Sequence, residues 1–275
     1  MLLENKVAIV TGGANGMGEA IVRKFASEGA KVVIADTQFE KAKLLADVIS
    51  LSGGVCEAFD KVDITHKGQV QSTVQETINH FGKIDILVNC AGCVLSDYGT
   101  SDKITMDDFN EVIDLILHGT MNMILEVLPF MKERKYGKIV NFTSMGVIHP
   151  DSVALQYHAA KGAIESITAN LAFELATQGI YVNSIAPGAI KSPFGDKLMT
   201  PSEQRDLLKN RLAEKEIPLG RMGTVEDIAG VALFLSSSLS DFVTGEKIHV
   251  VGGKGNINSH NSSFLSSKEN SVINK

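Results

Sequence analysis

Between Lys6 and Asp36 the chain writes a unit that few folds can accommodate. Lys6 to Val10 is a short apolar run that opens into Thr11-Gly-Gly-Ala-Asn-Gly-Met-Gly18. Glu19 to Ser27 then reads as an amphipathic helix, and Lys31 to Ala35 is a second apolar run ending at Asp36. Strand, glycine turn, helix, strand and acid in this order are the pattern of a dinucleotide-binding unit. Glycines permit the tight turn and let backbone N–H groups approach a pyrophosphate at the helix N-terminus. Gly12, Asn15, Gly16, Met17 and Gly18 are the turn residues this assigns to a cofactor. An acid closing the second strand accepts hydrogen bonds from ribose hydroxyls and repels a 2′-phosphate. No basic residue stands at 37 or 38 to offset that. The expected cofactor is NAD rather than NADP, with Asp36 on its ribose.

The alternation continues. A helix from Phe39 to Ser52 precedes a strand from Val55 to Asp60, and Asp63-Ile64 follows where a carboxylate can meet an adenine amino group. A helix over Lys67 to Phe81 leads to the strand Ile84 to Val88 and the turn Asn89-Cys-Ala-Gly92. A long helix from Met106 to Arg134, the strand Lys138 to Phe142 and its Thr143-Ser144 end come next. The strand Ile180 to Ile185 ends at Ala186-Pro-Gly188, the helix Val225 to Leu235 follows, and Lys247 to Val251 is a last strand before Gly252-Gly253. Such alternation predicts an α/β fold: a Rossmann-like, doubly wound parallel sheet with helices on both faces, in a single domain over residues 1–253. Ligands on such a sheet bind at the carboxyl ends of the strands, where these turns fall. Residues 189–222 break the rhythm and are expected to form a substrate lid. Residues 254–275 are expected to be a polar tail.

A second signal is Tyr157-His-Ala-Ala-Lys161, with Ser144 a short loop upstream. Residues four apart on a helix share a face, so a phenol stands beside an ammonium. At ~4 Å and an effective dielectric of ~20 that charge favours phenolate by roughly 4 kcal/mol before solvation losses. A free phenol, with a pKa near ~10, needs such help to exchange protons at neutral pH.

Composition removes other classes. The net charge is −6 at pH 7, which argues against a nucleic-acid surface. No uninterrupted apolar run approaches the ~20 residues of a membrane span, and the N-terminus lacks a signal peptide's apolar core. Cys56, Cys90 and Cys93 are an odd number in a large chain, which fits a reducing cytoplasm. Cys90-x-x-Cys93 has no second ligand pair, so no metal is expected. A hydrolase elbow is excluded because Phe142 occupies its first glycine position.

Taken together, Thr11-x-x-x-Gly16-x-Gly18, Asp36, Asp63, Asn89-x-Ala91-Gly92, Ser144, Tyr157-x-x-x-Lys161, Asn183 and Pro187-Gly188 resemble the short-chain dehydrogenase/reductase family from Lys6 to about Gly253. The resemblance implies that Tyr157 is the general acid/base and that Lys161 lowers its pKa and holds the nicotinamide ribose. It implies that Ser144 donates a hydrogen bond to the substrate oxygen. Ile190 is placed to meet the carboxamide through its backbone, Ser192 to bond the cofactor, and Asn89, Ala91, Gly92, Pro187 and Gly188 to line the cofactor cleft. A homotetramer or dimer is implied as well. Three positions depart from the family: Ile116 stands where an Asn usually bends the helix and holds a relay water, Cys90 replaces a second Asn, and Val251 replaces an Asp. The expected activity is NAD-dependent interconversion of a secondary alcohol and a ketone. Val94, Leu95, Met145, Phe194 and Met199 are apolar candidates for the substrate wall, favouring a bulky hydrophobic substrate, hydroxysteroid-like or a cyclic alcohol. The rival is a regulator that senses NAD without turning anything over.

Overall fold

A computed structural model of the chain describes residues 1–92, 100–149, 154–192 and 216–255. Seven strands form one sheet: β1 (Val7–Thr11), β2 (Lys31–Ala35), β3 (Val55–Glu57), β4 (Ile86–Asn89), β5 (Gly137–Phe142), β6 (Ile180–Pro187) and β7 (Lys247–Val250). They lie in the order β3-β2-β1-β4-β5-β6-β7, every pairing parallel. The central strands are continuous Val/Ile/Leu runs because a parallel sheet is covered on both sides; β1 is buried throughout. On one face lie α1 (Gly16–Ser27), α2 (Phe39–Leu51) and α7 (Val225–Ser236), packed through Ile21, Phe25, Leu45 and Ile228. On the other lie α3 (Lys67–Phe81), α4 (Met106–Ile113) with α5 (Gly119–Arg134), and α6 (Leu155–Leu175), packed through residues such as Val74, Met123, Ile124 and Leu175. The chain reverses direction across the sheet between β1 and β4, which opens a crevice above their carboxyl ends.

The expected doubly wound fold is therefore the observed one, with local differences. β3 stops at Glu57 rather than Asp60. The lid expected over 189–222 and the tail expected over 254–275 lie mainly outside the described residues. The stretch Met106–Arg134 is long and apolar enough to cross a membrane by length and composition. Its Met123, Ile124, Val127 and Met131 are completely buried in the core, so it is a layer of this domain.

At the opposite end of the sheet β4 begins at Ile86 rather than Ile84, and Asp85 just before it acts as a clamp. Its carboxylate is 0% exposed. It accepts the Val7 N–H at 2.9 Å, Arg134 Nη1 at 2.9 Å and Lys83 Nζ at 2.9 Å. Burial alone pushes this carboxyl up, but the Lys83, Val7 and Arg134 donors reverse the shift and hold it below its ordinary value. A carboxylate with a depressed pKa stabilises the fold above its unfolded pKa, and that contribution disappears as pH falls through the folded one. Asp85→Ala is expected to lower stability by about 3 kcal/mol at neutral pH, because it strands two cations and an N–H. Urea denaturation at pH 7 and again at pH 3 checks this: the difference from wild type shrinks at the lower pH.

Candidate active site

The crevice floor is built by backbone that tolerates no side chains. A β-carbon on Gly12 would lie 2.8 Å from the Ala91 Cα, and one on Gly18 would lie 2.0 Å from the Gly12 carbonyl oxygen. Gly12 and Gly16 have φ of +64° and +56°, values that favour glycine. Thr11 Oγ1 accepts the Ala91 N–H at 3.1 Å, which ties the first turn to Ala91-Gly92. Helix α1 starts at this point with Asn15 as its N-cap and no side-chain cap bond, leaving its first N–H groups for an anion. Asp36 stands at the edge of the turn, 6% exposed, accepting Ala14 N–H at 3.0 Å and Gln38 N–H at 2.9 Å. Among the described residues, a β-carbon on Gly92 would meet nothing within 4 Å. A glycine cradle, an uncapped helix N-terminus and an acid beside them fit a dinucleotide.

The other expected cofactor residues lie along the same edge. Asp63 is engaged locally: burial raises its pKa, but Thr65 and His66 lower it further than burial raises it, with Thr65 Oγ1 donating at 2.7 Å. Ile64 packs into Gly119 while its carbonyl accepts Asn122 Nδ2 at 2.9 Å. Asn89 is directed along the sheet rather than into the crevice, donating to Asn141 Oδ1 at 2.9 Å, and its own Oδ1 is buried without a partner. Pro187 ends β6 and Gly188 N–H donates to Val250 O at 3.0 Å. Ile190 is bridged to Gly223 by its neighbours, through Lys191 N–H to Gly223 O and Gly223 N–H to Ala189 O. In that parallel geometry the N–H and C=O of Ile190 itself face away from Gly223. Ser192 is half-buried next to it. Val94, Leu95, Phe194 and Met199 lie outside the described residues.

Tyr157 and Lys161 stand on consecutive turns of α6, with Lys161 Nζ 5.7 Å from the phenol ring centroid. Lys161 is 5% exposed and donates to the Phe142 carbonyl at 2.8 Å. Ser144, at the end of β5, accepts Gly146 N–H at 3.1 Å and hydrogen-bonds the Tyr157 side chain. All three expected residues therefore meet. The expectation that Lys161 brings the phenol down is not met by the protein groups. Burial pushes Tyr157 up to about 12, against the Ser144 bond, and burial pushes Lys161 down to about 8. The ammonium donates to a carbonyl, and desolvation favours the uncharged form of each group. Cys90 lies close by, its thiol pushed up to about 12 by burial, which leaves little thiolate.

Ile116 resolves differently from expectation. The helix irregularity associated with an Asn at this position is present without it: Asp114–His118 forms a single π-helical turn between α4 and α5. Ile116 is 1% exposed and packs with Val112, Ala160 and Ile164 against Tyr157. Asp114 and His118 pair with each other at 2.7 Å and face solvent, their side chains 58% and 62% exposed, so neither replaces the missing amide. Sequence reading missed the Phe142 carbonyl and the buried chain Asn89–Asn141–Thr168, whose second link is 3.0 Å. Their signal was two asparagines at matching ends of adjacent apolar strands.

A family model described as enoyl-(acyl carrier protein) reductase matches residues 12–254. The chain is 35% identical to a 3-oxoacyl acyl-carrier-protein reductase of Thermotoga maritima over 254 residues, covering 92% of this chain and 99% of that one. It is 36% identical to galactitol 2-dehydrogenase of Agrobacterium fabrum over 258 residues, covering 92% and 98%. A solved 7α-hydroxysteroid dehydrogenase, complexed with NADH and 7-oxo glycochenodeoxycholic acid, superposes with a TM-score of 0.85 at 32% identity, over 92% of this chain and 95% of that one.

The apolar setting of residue 116 generates a stability test. Ile116→Asn places an amide among side chains that offer it no partner, and is expected to destabilise by about 2 to 3 kcal/mol. Chemical denaturation of the two proteins measures it, and an equal midpoint would mean that the π turn holds a polar partner.

Proposed function

The chain belongs to the short-chain dehydrogenase/reductase family, and from that premise we propose that it is an NAD-dependent oxidoreductase interconverting a secondary alcohol and a ketone. The observation that carries this is the meeting of the Ser144 hydroxyl, the Tyr157 phenol and the Lys161 ammonium at the carboxyl end of β5, beside the glycine crevice. When bound, the nicotinamide supplies the hydride chemistry. Gly12, Asn15, Gly16, Met17 and Gly18 would hold the pyrophosphate, Asp36 the adenosine ribose, and Ile190 with Ser192 the carboxamide side.

The chain's own residues handle the proton. With its pKa pushed up to about 12, Tyr157 carries its proton at neutral pH and donates it to a ketone oxygen on which negative charge develops. Ser144 donates a second hydrogen bond to that oxygen. Lys161 holds its position through the Phe142 carbonyl and is available to the nicotinamide ribose. In the oxidative direction the same phenol receives the alcohol proton only after losing its own.

A bulky hydrophobic substrate is supported by Met145, which follows Ser144 in the turn, and by the steroid ketone in the similar solved structure. Cytoplasmic residence is supported by the free thiols of Cys56 and Cys90. Assembly into a dimer or tetramer is supported by the exposed Leu155 and Phe173 on α6, a face suited to a two-fold partner.

Tyr157→Phe is expected to lower kcat by about 100-fold or more with NADH affinity nearly unchanged, measured by NADH absorbance and fluorescence titration. Retained turnover would exclude the phenol as the proton donor, and retained binding with lost turnover separates an enzyme from a nucleotide sensor. Asp36→Ala is expected to raise the NADP-to-NAD ratio of kcat/KM by about tenfold. An unchanged ratio would remove Asp36 from the ribose site.

A further inference from the structure

The short turn that begins at Ser144 rests on helix α6 at two places, one helical turn apart. A β-carbon on Gly146 would stand 2.2 Å from His158 Nε2 and 2.6 Å from His158 Cδ2, so the imidazole fills the place that a larger residue at 146 would need. Four residues further along the same helix face, a β-carbon on Gly162 would meet Val147 Cγ1 at 3.8 Å. His158 follows Tyr157 directly, and the two rings meet edge to face with centroids 5.8 Å apart at an angle of 65°. Gly146 N–H donates to Ser144 Oγ at 3.1 Å, and Ser144 hydrogen-bonds the Tyr157 side chain. These contacts close a circuit that runs from Ser144 through Gly146, His158 and Tyr157 back to Ser144. His158 is the member whose side chain the proton transfer does not use.

We propose that His158 is a positioning residue for the Ser144 hydroxyl and acts on it through Gly146. The inference rests on the oxidoreductase reading and concerns how the donor to the reacting oxygen is held. A serine hydroxyl has one proton to donate and two lone pairs, and it rotates to suit its partners. The Gly146 N–H takes one lone pair, which restricts the directions left for the O–H. That bond lasts only while residue 146 keeps its place. Among the described residues the backbone bonds of the turn, Val147 N–H to Ser144 O and the Ile148 and His149 N–H groups to Met145 O, all stay within it. Contact with α6 therefore sets the turn against the phenol, and the His158 imidazole makes the closer of the two contacts. A donor to a developing negative charge is effective when it is aligned beforehand, so a loosened turn costs turnover rather than cofactor affinity.

The test is a double-mutant cycle on kcat for reduction by NADH of cyclohexanone, acetophenone or a steroid ketone, whichever the wild type turns over fastest. His158→Ala is expected to lower kcat by about tenfold, with NADH affinity within about twofold of wild type. In a Ser144→Ala background the same change is expected to cost less than about twofold, because the group it positions is gone. Gly146→Ala is expected to lower kcat by about tenfold where His158 is present, and by less than about twofold in His158→Ala, where the space is free. An unchanged kcat in His158→Ala overturns the proposal, as does an equal loss with and without Ser144. Hydrogen exchange of the Gly146 amide, followed by NMR, needs no turnover. His158→Ala is expected to speed it by about fivefold or more while the Ile164 amide, within α6, keeps its wild-type rate. An unchanged rate at Gly146, or faster exchange at both amides, overturns the proposal. If the wild type reduces none of the ketones, the oxidoreductase reading fails separately, and the exchange rates alone decide whether His158 holds the turn.

Discussion

Three backbone segments approach so closely beneath the crevice that two of them have no room for a β-carbon. Gly18 lies on the Gly12 carbonyl and Gly12 lies on the Ala91 Cα, so helix α1, the end of β1 and the end of β4 are fixed relative to one another by contact. Cores transmit such contacts because they are close-packed. The uncapped N-terminus of α1 and the Asp36 carboxylate keep their spacing only while this contact holds. Everything proposed for cofactor binding follows from it.

One row below, the sheet carries polar side chains through its interior. Thr11, Asn89, Asn141, Ser184 and Lys247 are in register across five strands. Asn89 bonds Asn141, Asn141 bonds Thr168 on α6, and Lys247 pairs with Glu165 on the same helix. Buried polar groups restrict a segment to the placement that satisfies them. Helix α6 is thus keyed to the sheet at two positions within two turns of Lys161, while its apolar side chains alone would permit sliding. This keying holds Tyr157 opposite Ser144.

Most of this arrangement was legible in the residues. The apolar runs predicted the strands because a parallel sheet buries both faces, and the Tyr157–Lys161 spacing predicted a shared helical face. Three things were not legible. The π turn at Asp114–His118 forms around Ile116, so no polar residue marks it. The end of β3 at Glu57, opposite Val33, comes before β2 itself ends at Ala35, so the length of neither apolar run marks it. The phenol's pKa depends on burial and on where the Lys161 ammonium points, and neither is a property of spacing.

Desolvation acts on both members of the Tyr157–Lys161 pair and favours the uncharged form of each, taking the phenol up to about 12 and the amine down to about 8. A mutual attraction large enough to ionise the phenol would have to exceed both penalties, and the ammonium donates to the Phe142 carbonyl. The protein groups therefore keep Tyr157 protonated at neutral pH, the state that the proposed ketone reduction would draw on. Oxidation of an alcohol by the same groups requires the phenol proton to leave first. Ile116 meanwhile packs the π turn against Tyr157 through apolar contacts.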